Sequence, residues 1–181
     1  MTLRLLLLFL IQLLVAACSP PEPGPVDPAQ RAKALADSAI IVDGHIDVPY
    51  RLNKEWVDVS LSTENGDFDH PRAQSGGLNA PFMSIYVPAE KNTDEARELA
   101  DSLIGLVNRM VDESPDKFAI PFSVKDVRQH FEAGLISLPM GLENGSPIGQ
   151  DLSMVQYFHE RGVRYVTLTH SEPNQISDSS Y

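Results

Sequence analysis

Ala39-Ile40-Ile41-Val42-Asp43-Gly44-His45-Ile46-Asp47-Val48-Pro49 is the stretch on which the fold turns. An apolar run of strand length, rich in β-branched residues, leads straight into a His-x-Asp pair. Side chains two apart on a strand point to the same side, so His45 and Asp47 are expected to project together, with Asp43 one step earlier. An imidazole nitrogen and a carboxylate oxygen side by side are donors suited to zinc or a similar divalent ion. The apolar run predicts a rigid, covered strand as their support. Taken alone, the pair also reads as a strand ending in a polar turn, with His45 satisfied by hydrogen bonds. The rest of the chain decides between the two.

Upstream, residues 29–38 have the composition of a helix, with Ala32, Leu35, Ala36 and Ala39 at helical spacing. Before it, residues 19–28 hold five prolines, a composition that excludes a helix or central strand and predicts a semi-rigid tether. Residues 1–18 open with Arg4 and an apolar run too short to span a bilayer, closing on Val15-Ala16-Ala17-Cys18. This pattern predicts a bacterial lipoprotein signal with Cys18 as the lipidation site. Export to the envelope and anchoring in the membrane follow, with the domain in the periplasm or at the cell surface. Ser19, in place of an aspartate, favours the outer membrane. Cys18 is the only cysteine, so no disulfide is expected. The formal net charge is −11, one unit more negative once Arg4 leaves with the signal, which argues against nucleic acid as a partner.

Downstream, residues 53–74 are polar and turn-rich and predict a long irregular loop over the mouth of the domain, with His70 a solvated surface residue. Residues 78–87 read as a second strand closed by Pro88. Residues 92–113 are the clearest helix: Asn92 and Glu95 form a capping pair, and Ala96, Leu99, Ala100, Leu103, Val107, Met110 and Val111 make one apolar stripe. Ser123 with Asp126 starts another helix, with Val124, Val127 and Phe131 as its apolar side and Gly134 as its stop. Residues 135–142 read as strand three, residues 151–161 as a helix ending at Gly162, and residues 163–169 as strand four. His130 and His159 fall inside helices and are expected to be structural or solvated.

Helices and strands thus alternate in the manner of an α/β domain with a parallel sheet. Three of the four strands finish in a residue able to bind metal or act on a substrate: His45 and Asp47, then Glu143, then His170. In a parallel barrel, functional side chains gather at the carboxyl ends of the strands. This recurrence favours the chelating reading of His45 and Asp47.

These segments resemble the membrane dipeptidase family, renal dipeptidase-like metallopeptidases within the metal-dependent barrel hydrolases. The matching pieces are Val42-Asp43-Gly44-His45-Ile46-Asp47-Val48-Pro49, the run from Gly76-Gly77-Leu78 to Ile85-Tyr86-Val87, Gly141-Leu142-Glu143-Asn144-Gly145, and Gly162-Val163-Arg164-Tyr165-Val166-Thr167-Leu168-Thr169-His170, followed by Asn174 and Asp178-Ser179-Ser180. The resemblance implies a (β/α)8 TIM barrel, of which residues 29–181 are the amino-terminal part. It also implies two divalent ions, most often zinc, and hydrolysis of a small dipeptide, and it is compatible with a homodimer. On matched positions His45 and Asp47 would bind one metal, Glu143 would bridge both, and His170 would contact the substrate near its scissile carbonyl. Asn144 stands where glycine is common in the family.

The sequence departs from the family in one respect: about four of the eight strands are present, and the further histidines of the second metal lie on later strands. The first and fourth strands are then expected to leave exposed edges, and the chain by itself is expected to be an inactive, truncated fragment. Two other readings use the same residues. One is a different metal-dependent barrel hydrolase acting on lactones, cyclic amides or phosphoesters. The other is a surface lipoprotein that keeps the fold without turnover.

Overall fold

The computed structural model describes residues 27–180; the signal, Cys18 and the tether up to residue 26 lie outside the described residues. In chain order the elements are α1 (Pro28–Ser38), β1 (Ile41–Ile46), α2 (Val48–Lys54), α3 (His70–Gly76), β2 (Leu78–Tyr86), α4 (Thr93–Glu113), β3 (Phe118–Ala119), α5 (Val124–Glu132), β4 (Ile136–Ser137), β5 (Met140–Glu143), α6 (Ser153–Glu160) and β6 (Val163–Thr167). The sheet and all elements after α1 belong to one compact unit beginning at Ala36.

The four expected strands pair as β1-β2-β5-β6, all parallel and in sequence order, with β3 and β4 forming a separate parallel pair. This is the α/β arrangement of a partial TIM barrel. Among the described residues β1 and β6 each pair on one side only, as expected of open edges. The strand read over residues 135–142 is broken in two. Pro139 has no N–H to give a ladder, and the chain changes sheets around it: Leu138 N–H donates to Ala119 O (2.8 Å), while Pro139 O accepts from Met83 N–H (2.7 Å).

Period-two alternation sorts the sheet into two faces. Met83, Ile85, Val87, Met140 and Leu142 are fully buried on one. There they meet α4, whose Ala96, Ala100, Leu103 and Val107 are equally buried. Each large side chain so removed from water contributes roughly 1.5–3 kcal/mol. The capping box of α4 is present: Asn92 Oδ1 accepts from the N–H groups of Asp94 and Glu95, both 3.1 Å, and Glu95 Oε2 accepts from Asn92 N–H.

Other expectations fail. Strand β1 is not covered: Val42 is 53% exposed. Helix α5 starts at Ser123 as read, yet none of its residues is buried and Val124 faces solvent. The region from 53 to 74 is without helix or strand from 55 to 69, as read, and only its ends depart from the reading, closing on α2 and opening α3. Pro49 sits in the first turn of α2, where its missing N–H costs nothing, and α3 is capped by Asp69. His70 is not a solvated residue. It is 9% exposed, packs edge-on against Phe118 at 5.4 Å between ring centroids, and loses proton affinity because burial disfavours its charged form. A polar sequence hid this because Phe118 is 48 positions away in the chain.

Candidate metal centre

Glu143 is the last residue of β5, paired with Tyr86 of β2 on one side and Thr167 of β6 on the other. Its parity sends the carboxylate to the face opposite the α4 contact, together with Ser84, Gly141 and Tyr165. Ser84, with no exposed surface, donates its hydroxyl proton to Glu143 Oε2 at 2.8 Å.

His45 and Asp47 arrive from the end of β1. The pairing of β1 with β2 slips between Asp43 and Ile46: three steps along β1 match two along β2, from Pro81 to Met83, the signature of a bulge. Simple alternation is therefore broken there. Asp43 turns back, its Oδ1 accepting the His45 N–H at 3.0 Å, and stays out of the cluster. Asp47 is the residue before α2, and its side chain makes no cap hydrogen bond, so the carboxylate is left to face His45. The convergence expected of His45 and Asp47 is present, but a bulge and a helix start produce it.

One nitrogen and two carboxylate oxygens meet. His45 Nε2 lies 3.1 Å from Glu143 Oε2 and 3.4 Å from Asp47 Oδ1, and all three donor atoms fall within 4.8 Å of one another. Donors at about 2.0–2.1 Å from a tetrahedral zinc stand about 3.3 Å apart, so the two distances from His45 Nε2 match edges of such a coordination shell. Among the described residues no lysine or arginine forms an ion pair with Asp47 or Glu143. Carboxylate oxygens beside an imidazole nitrogen are the donors that a divalent ion takes. The donor set therefore fits a divalent cation. Asp47 is the most open of the three, Glu143 the least, with side chains 66% and 16% exposed.

His170, beyond the end of β6, stands on the other oxygen of the same carboxylate, with Nε2 3.5 Å from Glu143 Oε1. Its ring leans on Tyr86 at 5.1 Å, while its Nδ1 is buried with no hydrogen-bond partner among the described residues. The structure thus brings together His45, Asp47, Glu143 and His170, and leaves His130 and His159 elsewhere. His130 Nδ1 meets Ser137 Oγ at 2.9 Å, and His159 is exposed.

Three contributors escaped the sequence reading: Ser84, Gly141 and Tyr165. Their signal was parity, since all three lie on the face that carries Glu143. The Tyr165 hydroxyl lies 3.0 Å from His45 Nδ1 and 3.2 Å from Gly44 O. On a flat sheet β6 and β1 would be roughly 14 Å apart across two intervening strands, beyond the reach of a tyrosine. The sheet is therefore strongly curled, and Tyr165 crosses its hollow side. Burial, with the negative charges of Glu143, Asp47 and Asp43, raises the pKa of the Tyr165 phenol above its ordinary value and keeps it protonated.

Asn144, directly after Glu143, is buried and adopts a left-handed backbone at φ 78°. Asparagine tolerates that conformation better than most side chains. Its amide donates to Val87 O (3.0 Å) and accepts from Ser146 N–H (3.1 Å) and Asn174 Nδ2 (2.9 Å), tying three segments behind the cluster.

Comparison with known proteins places the chain in a family. The family described as membrane dipeptidase (Peptidase family M19) matches residues 29–181. A dipeptidase of Aspergillus terreus, AtaJ, is 33% identical over 163 residues, covering 83% of this chain and 40% of that protein. Among solved structures, the probable dipeptidase PvdM of Pseudomonas aeruginosa superposes with a TM-score of 0.71 at 24% identity, covering 85% of this chain and 41% of that one. A metallopeptidase of Rhodobacter sphaeroides, liganded with a phosphinate mimic of the dipeptide L-Ala-D-Ala, gives 0.68 at 23% identity, covering 74% and 46%. At these identities the two superpositions speak to the fold. The chain spans less than half the length of each of these relatives.

Proposed function

The chain belongs to the membrane dipeptidase family, and from that membership we propose that the protein is a metal-dependent dipeptidase that uses two divalent ions, zinc in the first instance. The observation that carries this reading is the meeting of His45 Nε2, Asp47 and Glu143 donor atoms at the carboxyl ends of β1 and β5. His45 and Asp47 would hold one ion. Glu143, with one oxygen toward His45 and the other toward His170, would serve as a ligand to both ions. Bound there, the ions supply Lewis acidity, polarising a carbonyl and acidifying water.

The protein's own groups do the rest. Ser84 holds the Glu143 carboxylate in one orientation, and Asp47 and Glu143 would offset the repulsion between two neighbouring cations. His170, leaning on Tyr86, would contact the substrate near its scissile carbonyl, where negative charge develops. The dipeptide mimic held by the Rhodobacter sphaeroides relative supports a substrate of that size.

The test is Glu143→Gln in the full-length protein. Bound metal, measured by mass spectrometry of the purified protein, should fall at least tenfold, and hydrolysis of Ala-Ala-type dipeptides should drop by more than about 100-fold. Retention of both by the variant would refute the assignment.

We propose in addition that Cys18 carries lipid and anchors the protein to the bacterial envelope, a reading supported by the small residues before it and the short apolar run. Replacing Cys18 with Ala should move the protein from the membrane to the soluble fraction on cell fractionation. An unchanged distribution would count against the anchor.

A further inference from the structure

The reading of His45 as a metal ligand leaves open what decides which of its two ring nitrogens faces the ion. We propose that Tyr165 is the positioning residue that decides this, by accepting a hydrogen bond from His45 Nδ1 and so presenting Nε2, with its lone pair, to Asp47 and Glu143. The proposal rests on the metal-centre reading and extends it to a residue outside the donor set.

A phenol has one proton to give. Gly44 O, 3.2 Å from the Tyr165 hydroxyl, can only accept, so it takes that proton. The phenol oxygen then offers lone pairs to His45 Nδ1 at 3.0 Å, and the contact is completed when Nδ1 carries the hydrogen. Nε2 is the nitrogen left for the ion, and it is the one that lies within 3.4 Å of both carboxylates. A metal-bound histidine commonly spends its other ring nitrogen in this way on a carbonyl or carboxylate. Here a tyrosine from the opposite edge of the sheet does it, itself anchored by the carbonyl of the residue next to the ligand.

The ring that carries this hydroxyl has a prepared seat. A Cβ on Gly141 would lie 2.0–2.4 Å from three atoms of the Tyr165 ring, so only glycine at that position of β5 lets the ring pass. Phe82 of β2 braces it, with 5.4 Å between centroids. The aromatic contact and the hydroxyl contact are separable: phenylalanine would keep the first and lose the second.

The experiment compares wild-type, Tyr165→Phe, His45→Ala and the double variant of the full-length protein by calorimetric titration with Zn2+. Tyr165→Phe is expected to melt within a few degrees of wild-type and to bind Zn2+ about 10- to 100-fold more weakly. In the His45→Ala background the same change should have no further effect, which a general loss of packing would not reproduce. In the zinc-loaded wild-type, proton NMR should show a slowly exchanging, downfield Nδ1–H of His45 that is lost in Tyr165→Phe. If Tyr165→Phe is too unstable to titrate, Gly141→Ala, which keeps the hydroxyl but displaces the ring that carries it, should give the same loss of affinity. Equal Zn2+ affinity and an unchanged Nδ1–H signal in Tyr165→Phe would overturn this role while leaving the metal centre standing. A wild-type protein that takes up no Zn2+ would overturn both.

Discussion

Asn144 shows how much one side chain can hold in place. It combines a left-handed backbone with three hydrogen bonds, two of them buried, immediately after Glu143. Asn144→Gly would relieve the backbone but leave Val87 O and Ser146 N–H unpaired; Asn144→Ala would suffer on both counts. The expected losses are about 2 kcal/mol for glycine and about 3 kcal/mol for alanine, ranked by urea unfolding. An alanine variant as stable as the glycine variant would show that the backbone is not strained. At this scale the sequence was most legible where chemistry and chain position coincided. His45, Asp47, Glu143 and His170 all stand at strand ends, and all four meet. Asp43 was misjudged because a one-residue bulge cannot be read from alternation. His70 was misjudged because its burial depends on Phe118.

Between residue and fold, the region from 53 to 74 is the loop its composition predicts over 55–69, but it ends in a helix and in buried polar groups that composition does not show. Its order comes from Asp69, a carboxylate with no exposed surface. It accepts from Thr63 N–H (2.9 Å), Arg72 N–H (2.9 Å) and Arg72 Nε (2.8 Å). The Arg72 guanidinium bond, above all, holds the Asp69 carboxyl well below the usual carboxylate range. A lowered folded-state pKa means that the ionised form stabilises the fold. That stabilisation is complete above the unfolded value of about 3.9 and is lost as the pH falls toward the lower folded one. Asp69→Asn should therefore cost about 2 kcal/mol at pH 7, with the gap to wild-type closing below about pH 4. Chemical unfolding across that range checks it, and a gap independent of pH would mean that charge is not the cause. By contrast α4 was legible almost residue by residue, because its cap and its stripe are both local. Strand three was read as continuous although Pro139 marked the break, since its partner β3 is only two residues long.

For the molecule as a whole, burial is one-sided. One face of the sheet is sealed by α4, while the hollow face carries the donor cluster at its rim and leaves Val42 and the edges of β1 and β6 open. The α/β class and strand order were legible because alternation of elements is a property of the whole sequence. The curl was not, because it is visible only in how far Tyr165 reaches. A net charge of −11, with Asp47 and Glu143 converging, makes cation binding and folding mutually supportive. Zn2+ at a hundredfold excess over its dissociation constant should stabilise the protein by about 2.7 kcal/mol, visible as a rise in melting temperature of several degrees. A chelator should reverse the rise, and Glu143→Gln should abolish it. A melting curve indifferent to zinc and chelator alike would contradict the coupling.

In the main sheet each strand lies beside the one synthesised before it. A ribosome delivering this chain can thus lay the sheet down as it goes, with β2 settling on β1 and β5 on β2, so that no strand has to be threaded between two already in place. The imidazole made first waits nearly a hundred residues for the glutamate that completes its cluster, and Tyr165, emerging later still, clasps the ends of an arc already formed.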